Sequence, residues 1–318
     1  MSIYNLIINK LLEKEWETMN YKNIITNRAI RLKILALLNW IPDKEMIKIQ
    51  YRLKTGRKLN LKNPVRYTEK LQWYKLYYKD LSMAQCADKY NVREYIKSKG
   101  LKNILNVLYG VYDKINDIVF EELPNEFVLK KTSGVGGNDV IICTDKLSVN
   151  WAVATKKMRE WTKETSNGGG REWIYYKVKP RIVVEKFIHA EDDDLVDYKF
   201  FCFNGNPYCL YVINGRKLGK DINLGIFDMN FNQLPYFRAD ENMMLSVSTK
   251  PKNFEKMIKI AKILSKDFPH VRVDLYNVDG KIIFGELTFF DGSGYQSYKP
   301  DEFDFLLGKE FVLPNKYV

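Results

Sequence analysis

The chain of 318 residues has little histidine: only His189 and His270. Histidine-based metal sites and Ser-His-Asp catalysis are therefore poorly supplied. Cysteine is also scarce. Cys86, Cys143, Cys202 and Cys209 form no CxxC pair, which argues against structural zinc or a disulfide framework and fits a reducing compartment. No apolar run reaches the roughly 18 residues of a membrane span. The opening segment carries acids early and has no cleavage-site pattern, so it does not read as a secretory signal. The expected location is cytoplasmic.

Aromatic and basic residues are abundant. With 21 Tyr, 17 Phe and 46% hydrophobic content, the chain is not a disordered one, and its length suggests about two domains. The formal charge of +12 is unevenly placed. Residues 1–80 hold 17 Lys and Arg against 7 Asp and Glu, while the other 238 residues hold 34 against 32. The excess points to a polyanion, an anionic membrane surface or a phosphate-bearing substrate. No nucleic-acid fold signature accompanies it, so no nucleic-acid partner is expected.

Residues 3–40 read as helical, with a broad apolar face and interspersed basic residues. Such a helix packs on the body of the protein or rests on lipid headgroups, a peripheral contact at the inner face of the membrane; packing is favoured. The basic run from Lys44 to Lys62 reads as a solvated face, with anion binding as the alternative. Asn63-Pro64 breaks the pattern. Helices are expected from Thr68 and over Ala87–Lys99, stopping at Gly100, and a strand over Leu105–Val111. Residues 1–110 thus read as a helical, basic N-terminal region.

Phe127-Val128-Leu129-Lys130-Lys131 reads as a strand that runs into Thr132-Ser133-Gly134-Val135-Gly136-Gly137-Asn138, and Val140–Cys143 as a second strand. Strand, glycine-rich loop, strand is a hairpin. A Walker A loop or a Rossmann fingerprint needs a helix next. A glycine-rich hairpin still lets backbone N–H groups approach phosphates, and the lysines could neutralise their charge; the plain alternative is a hairpin that only turns. Thr165–Gly170 is a candidate lid or a passive loop. Pro180–Ile188 is an apolar strand interrupted by Glu185. Lys252–Lys266 is an amphipathic helix with Phe254, Met257, Ile258, Ala261, Ile263 and Leu264 on its apolar side.

Val271–Phe290 reads as a hairpin around Asp279-Gly280, a strong two-residue turn signal. Asp274 and Glu286 lie five and six residues from that turn. Pairing could bring both carboxylates to one face, where they could ligate a divalent metal through oxygen. Alone, the segment reads first as a solvated polar face on an ordinary hairpin.

Taken together, the pieces resemble the ATP-grasp superfamily, and within it the TupA-like branch associated with teichuronopeptide and other cell-surface polymer synthesis. The carriers, over about residues 45–310, are NLKNPVRYTEKLQWYKLYY, DKYNVREYI, LPNEFVLKKTSGVGGNDVII, KPRIVVEKFI, DYKFFCFNGNP and VRVDLYNVDGKIIFGELTFFDGSG. The resemblance implies an α+β ATP-grasp fold, two α+β subdomains gripping ATP. They would cover 111–185, with the flap, and 186–318, with the metal site. By the same resemblance, Lys130 is the nucleotide-phosphate lysine, and Ser133, Gly134, Gly136 and Gly137 are the flap. Glu185, with the backbone near Lys186 and Phe187, is the hinge that holds adenine and ribose. Lys199 and Arg216 resemble further phosphate or substrate contacts. Asp274 and Glu286 resemble the magnesium ligands, Arg272 the arginine that steadies the acyl-phosphate, and Gly292-Ser293-Gly294 the place where the acceptor is met. Many relatives have Glu-x-Asn where this chain has Glu286-Leu287-Thr288, so Thr288 would ligate by its hydroxyl or through water.

The activity implied is an ATP- and Mg²⁺-dependent carboxylate–amine ligase, joining an amino acid or similar amine to a sugar carboxylate in cell-surface polysaccharide or capsule synthesis, with a lipid-linked or nucleotide-linked glycan as one form of substrate. Two alternatives stand beside it. One is a glycosyltransferase, for which Asp192-Asp193-Asp194 supplies a formal DxD motif. The other is a non-catalytic nucleotide-binding protein at the membrane surface.

Overall fold

The computed structural model describes residue 35 and residues 37–134, 139–163, 169–190, 194–215, 222–245 and 249–316. Two sheets carry the site, antiparallel but for one parallel edge pair in the larger. The smaller contains β1 (Leu108–Tyr112), β2 (Phe127–Lys131), β3 (Val140–Cys143) and β4 (Ile182–Lys186), in the order β1-β4-β2-β3. Alternation along β2 and β4 sends Phe127, Leu129, Ile182 and Val184 into one core. Ala154, Met158 and Trp161 of the helix Trp151–Trp161 close that core. The other face is left with Val128, Lys130, Val183 and Glu185, because side chains alternate across a strand. Leu129 pairs with Val184 and Lys130 with Val183, so Lys130 and Glu185 are diagonal neighbours on that face.

The larger sheet runs β11-β10-β5-β6-β7-β9. Its strands are β5 (Asp197–Phe203), β6 (Asn206–Asn214), β7 (Asn223–Phe227), β9 (Asn242–Met243), β10 (His270–Val278) and β11 (Lys281–Thr288). A pair, β8 (Phe237–Arg238) with β12 (Tyr298–Lys299), lies apart. The helix Phe254–Ser265 buries Phe254, Met257, Ile260, Ala261 and Leu264; each large apolar side chain so buried contributes about 1.5–3 kcal/mol. Ile263, expected on the apolar side, is instead exposed.

The N-terminal helices are α1 (Asp43–Thr55), α2 (Tyr67–Tyr77), α3 (Leu81–Ala87) and α4 (Val92–Ser98). Tyr67, Leu71, Tyr74, Met83, Val92 and Ile96 join the same core as Phe200, Val273 and Leu275 of the larger sheet. Polar contacts lock the union. Asp304, in the C-terminal helix Glu302–Glu310, accepts the Thr68 backbone N–H at 3.0 Å and its hydroxyl at 2.8 Å, so it caps the first turn of α2 from outside. Lys70 in turn donates to the Gly308 and Phe311 carbonyls at 2.7 and 2.8 Å, a cation on a helix C-terminus. A Cβ at Gly308 would lie 2.1 Å from the Val65 carbonyl oxygen, so only glycine permits this approach.

Three local expectations need correction. The helix expected over 87–99 spans only Val92–Ser98, because Asp88 accepts the backbone N–H groups of Tyr90 and Asn91 and makes a turn after α3. The strand expected from Leu105 begins at Leu108, after a short helical turn over Lys102–Ile104. Gly110 falls inside it. The expected N-terminal helix over 3–40, with its lipid-contact reading, lies almost wholly outside the described residues. Among the described residues, no helix is long and apolar enough to cross a membrane.

Candidate active site

Asp274 and Glu286 are direct partners across β10 and β11, and Lys199 of β5 partners Asp274 from the other side. The three side chains thus share one face of the sheet. The register depends on a bulge. Leu275 pairs with Phe284, but Asp274 pairs with Glu286, so Gly285 is the unpaired residue. A Cβ there would meet the Asp274 carbonyl oxygen at 3.0 Å. Arg272 and Thr288 pair two positions on and stand on the same face.

This face is dense with charge. Arg272 donates through Nε to Asp274 Oδ1 at 2.7 Å and through NH2 to Asp274 Oδ2 at 2.7 Å. It also donates to Thr288 Oγ1 at 3.0 Å and to Asp291. Lys199 donates to Asp274. Thr288 donates to Glu286 Oε1 at 3.1 Å. Burial pushes the Asp274 carboxyl up, against the pull of Arg272 and Lys199. Glu286 goes the other way. Desolvation in the cleft opposes its charge, but Lys89, Lys199 and Arg272 outweigh that and hold its carboxyl below the usual range.

The facing sheet adds Lys130, whose Nζ lies 2.8 Å from Glu185 Oε2. Arg93 approaches the other Glu185 oxygen at 3.5 Å and donates to the Asn106 carbonyl at 2.8 Å. Lys89, just before α4, links the two sheets: it donates to the Gly134 carbonyl at 2.7 Å and to Glu286 Oε2 at 3.3 Å. A cleft between the sheets is lined by Lys89, Arg93, Leu105, Asn106, Lys130, Glu185, Phe284 and Gly285. It combines cations, one carboxylate and the apolar side chains of Leu105 and Phe284.

The structure therefore brings most of the residues expected from the sequence together: Lys130 with Glu185, and Lys199, Arg272, Asp274, Glu286 and Thr288 on one face. Ser133 and Gly134 lie beside Lys89, and the buried Ser133 hydroxyl has no hydrogen-bond partner among the described residues. At Lys186 both backbone groups are engaged: its N–H donates to Val107 at 2.9 Å and its carbonyl accepts from the Asn106 amide at 2.8 Å. Phe187 packs edge-on against His189. Gly136, Gly137, Arg216, Asp192 and Asp193 lie outside the described residues. Lys89, Arg93, Asn106 and Asp291 join the site without any local signal in the sequence that marks them. Lys89 and Arg93 sit in DKYNVREYI, a segment read as shared with relatives, but nothing local in it points to a carboxylate almost two hundred residues away.

A family model for TupA-like ATPgrasp matches residues 69–312. The chain belongs to the TupA-like ATP-grasp family. No curated protein matches the sequence. Among solved structures, the D-alanine–D-alanine ligase from Bacillus anthracis is 20% identical over 66% of this chain and 58% of its own, with a TM-score of 0.44. The L-amino acid ligase from Bacillus licheniformis is 16% identical over 74% of this chain and 52% of its own, with a TM-score of 0.46. This TupA-like chain thus spans little more than half the length of either. Its α+β architecture is that of the ATP-grasp fold, with the two sheets facing each other across the cleft and a helical region at the N-terminus.

Magnesium is typical of ATP-grasp enzymes. Among the described residues, no group of three or more His, Cys, Asp and Glu is placed to hold a metal ion by itself. Magnesium, however, usually binds through one or two carboxylates together with substrate phosphates. Asp274 and Glu286, facing each other with the Thr288 hydroxyl beside them, fit an ion that arrives with a triphosphate.

Proposed function

We propose that this protein is an ATP-dependent carboxylate–amine ligase that activates a sugar carboxylate as an acyl-phosphate and joins it to an amino acid or similar amine in the synthesis of a cell-surface polysaccharide. The observation that carries the reading is the alignment of Lys199, Asp274 and Glu286 across three strands, opposite Lys130 and Glu185 on the facing sheet. Membership of the family supports the nucleotide part. The sugar, the amine and the polymer setting follow from the branch resemblance.

A carboxylate is a poor electrophile, and transfer of the γ-phosphoryl group converts its oxygen into a leaving group. Such a transfer is mostly positioning and charge neutralisation. Here the neutralising groups are already assembled. Lys130, Lys89, Lys199 and Arg272 each hold a protein carboxylate. A triphosphate entering the cleft would take over Lys130 and Lys89. Asp274, Glu286 and Thr288 would hold Mg²⁺, which when bound supplies charge neutralisation at the β- and γ-phosphates. Arg272, fixed by Asp274 and Asp291, would face the oxygens of the reacting carboxyl group. Leu105 and Phe284 offer an apolar surface for the base, and the Lys186 carbonyl, now accepting from Asn106, would accept from its amino group. No nucleophilic side chain is required, in keeping with two histidines in the whole chain.

The test is a phosphate-release screen of uronic acids, free and as nucleotide sugars, against the common amino acids, with Glu286→Gln as the control. Phosphate release from one pair, absent in the variant, supports the reading. Binding of a UDP-sugar without ATP would favour a glycosyltransferase instead.

A further inference from the structure

Arg181 precedes β4 and is not among the described residues that line the cleft. Its side chain is nonetheless only 21% exposed, and its contacts converge on one turn. NH2 donates to the Asn91 side-chain oxygen at 2.6 Å. The same nitrogen stands 3.5 Å from the buried Asp88 carboxylate. The guanidinium lies 4.5 Å from the centre of the Tyr90 ring. The turn itself is built by Asp88, which accepts the backbone N–H groups of Tyr90 and Asn91, and it carries Lys89.

The main chain of Arg181 completes a circuit. Thr132, the residue after β2, is fully buried. Its N–H donates to the Arg181 carbonyl at 2.9 Å, and its hydroxyl accepts the Arg181 N–H at 3.1 Å. Its carbonyl accepts the Lys89 N–H at 3.0 Å. From Arg181 the bonds therefore run to Thr132, to Lys89, along the turn to Asn91 and back to Arg181. This ring joins the two sheets. Thr132 and Arg181 extend the β2–β4 ladder of the smaller one. After the turn, α4 is fixed to the core of the larger one by Val92 and Ile96, and Tyr95 donates to the Leu264 carbonyl at 3.0 Å. The Lys89 ammonium lies between Gly134 of the hairpin and Glu286 of the larger sheet. A lysine side chain forfeits much rotamer freedom when its ammonium is fixed, and a backbone held in advance lowers the cost of aiming it.

We propose that Arg181 is a positioning residue for nucleotide binding: through Asn91 and Thr132 it holds the turn that aims Lys89 at the triphosphate, and it does not touch the ligand. The proposal rests on the ligase reading above, which places Lys89 at the phosphates. Arg181 suits the task because its planar fork spans two acceptors on the turn while its own backbone stays in the smaller sheet. Its charge is used inside the protein, against Asp88 and the Tyr90 ring.

The experiment is a double-mutant cycle read by calorimetric titration with Mg²⁺ and the non-hydrolysable analogue AMP-PNP. Arg181→Met keeps an apolar stem over Tyr90 and removes the donors. Asn91→Ala removes the acceptor of the same bond from the other side. The Asn91 side chain caps no helix, so this variant should fold as wild type does, and it carries the test alone if Arg181→Met does not fold. Each change should weaken binding by about three- to tenfold. Added to Lys89→Met, neither should weaken it further, because both act through that ammonium. A purely structural contribution would lower the denaturation midpoint and leave the affinity of the folded protein unchanged. Variants that bind as wild type does, or losses that multiply in the double variants, overturn the proposal and leave the ligase reading standing. Wild-type protein that fails to bind AMP-PNP sinks that reading, and this proposal with it.

Discussion

Lys89 Nζ lies 3.3 Å from Glu286 Oε2 and 2.7 Å from the Gly134 carbonyl, so one side chain ties a carboxylate of the larger sheet to the glycine-rich hairpin of the smaller. Replacing Lys89 by Met should weaken binding of Mg²⁺–AMP-PNP by about tenfold or more, the scale of a lost charge-assisted hydrogen bond. The fold should lose little. The Glu286 side chain is 36% exposed, and pairs of that kind contribute at most about 1 kcal/mol. Calorimetry and chemical denaturation measure the two effects separately. Unchanged nucleotide affinity would remove Lys89 from the site.

Asp274 and Glu286 should differ in stability even though both should be required for turnover. Asp274 is buried between Arg272 and Lys199. Asp274→Ala would strip two buried cations of their nearest carboxylate, leaving Lys199 with Asp197 at 3.6 Å and Arg272 with Asp291, at a cost of about 3 kcal/mol, whereas Glu286→Gln keeps shape and most contacts. Denaturation midpoints should fall for the first and barely move for the second. Equal midpoints would contradict the buried ion pair.

The carboxylate pair was legible in the sequence because Asp279-Gly280 sets the turn and the strands alternate. Alternation alone, however, would oppose Asp274 to Gly285 and turn Glu286 to the other face. The bulge at Gly285 corrects the register. The flap strands and the lysine at the end of β2 were also readable from local pattern. Lys89, Arg93 and Asp291 were not. Their roles arise from chain segments brought together by the packing of α1 to α4 on the larger sheet, and no spacing in the sequence encodes that. The basic excess of the first 80 residues was visible, but part of it serves structure: Arg57 and Arg66 pair with Asp301, and Lys75 is buried.

His270 gives a pH signature. Its Nδ1–H donates to the Cys202 carbonyl and its Nε2 accepts from the Tyr67 hydroxyl, each at 2.9 Å. Burial lowers its pKa from the ordinary 6.5 to about 4. Between these values the unfolded chain binds a proton that the folded chain does not, so stability is lost as pH falls from about 6.5 towards 4, by roughly 3 kcal/mol in all. Urea midpoints across this window should fall less steeply in His270→Asn. Parallel slopes would contradict the assignment.

Asp304 should be a structural linchpin without a catalytic part. It is buried and binds Thr68 twice, with Arg66 at 3.4 Å. Asp304→Ala should cost about 3 kcal/mol and loosen the N-terminal helices. Hydrogen exchange should then quicken in α1 and α2 before the sheets. Exchange that quickens uniformly would contradict this order.

Acyl-phosphate chemistry at the Asp274–Glu286 face is tested most directly by the nucleotide products formed when the purified protein turns over ATP with a uronic acid and an amine. ADP and phosphate, released in a ratio of one to one and absent in Glu286→Gln, are expected. AMP and pyrophosphate, or undiminished turnover in that variant, would contradict it.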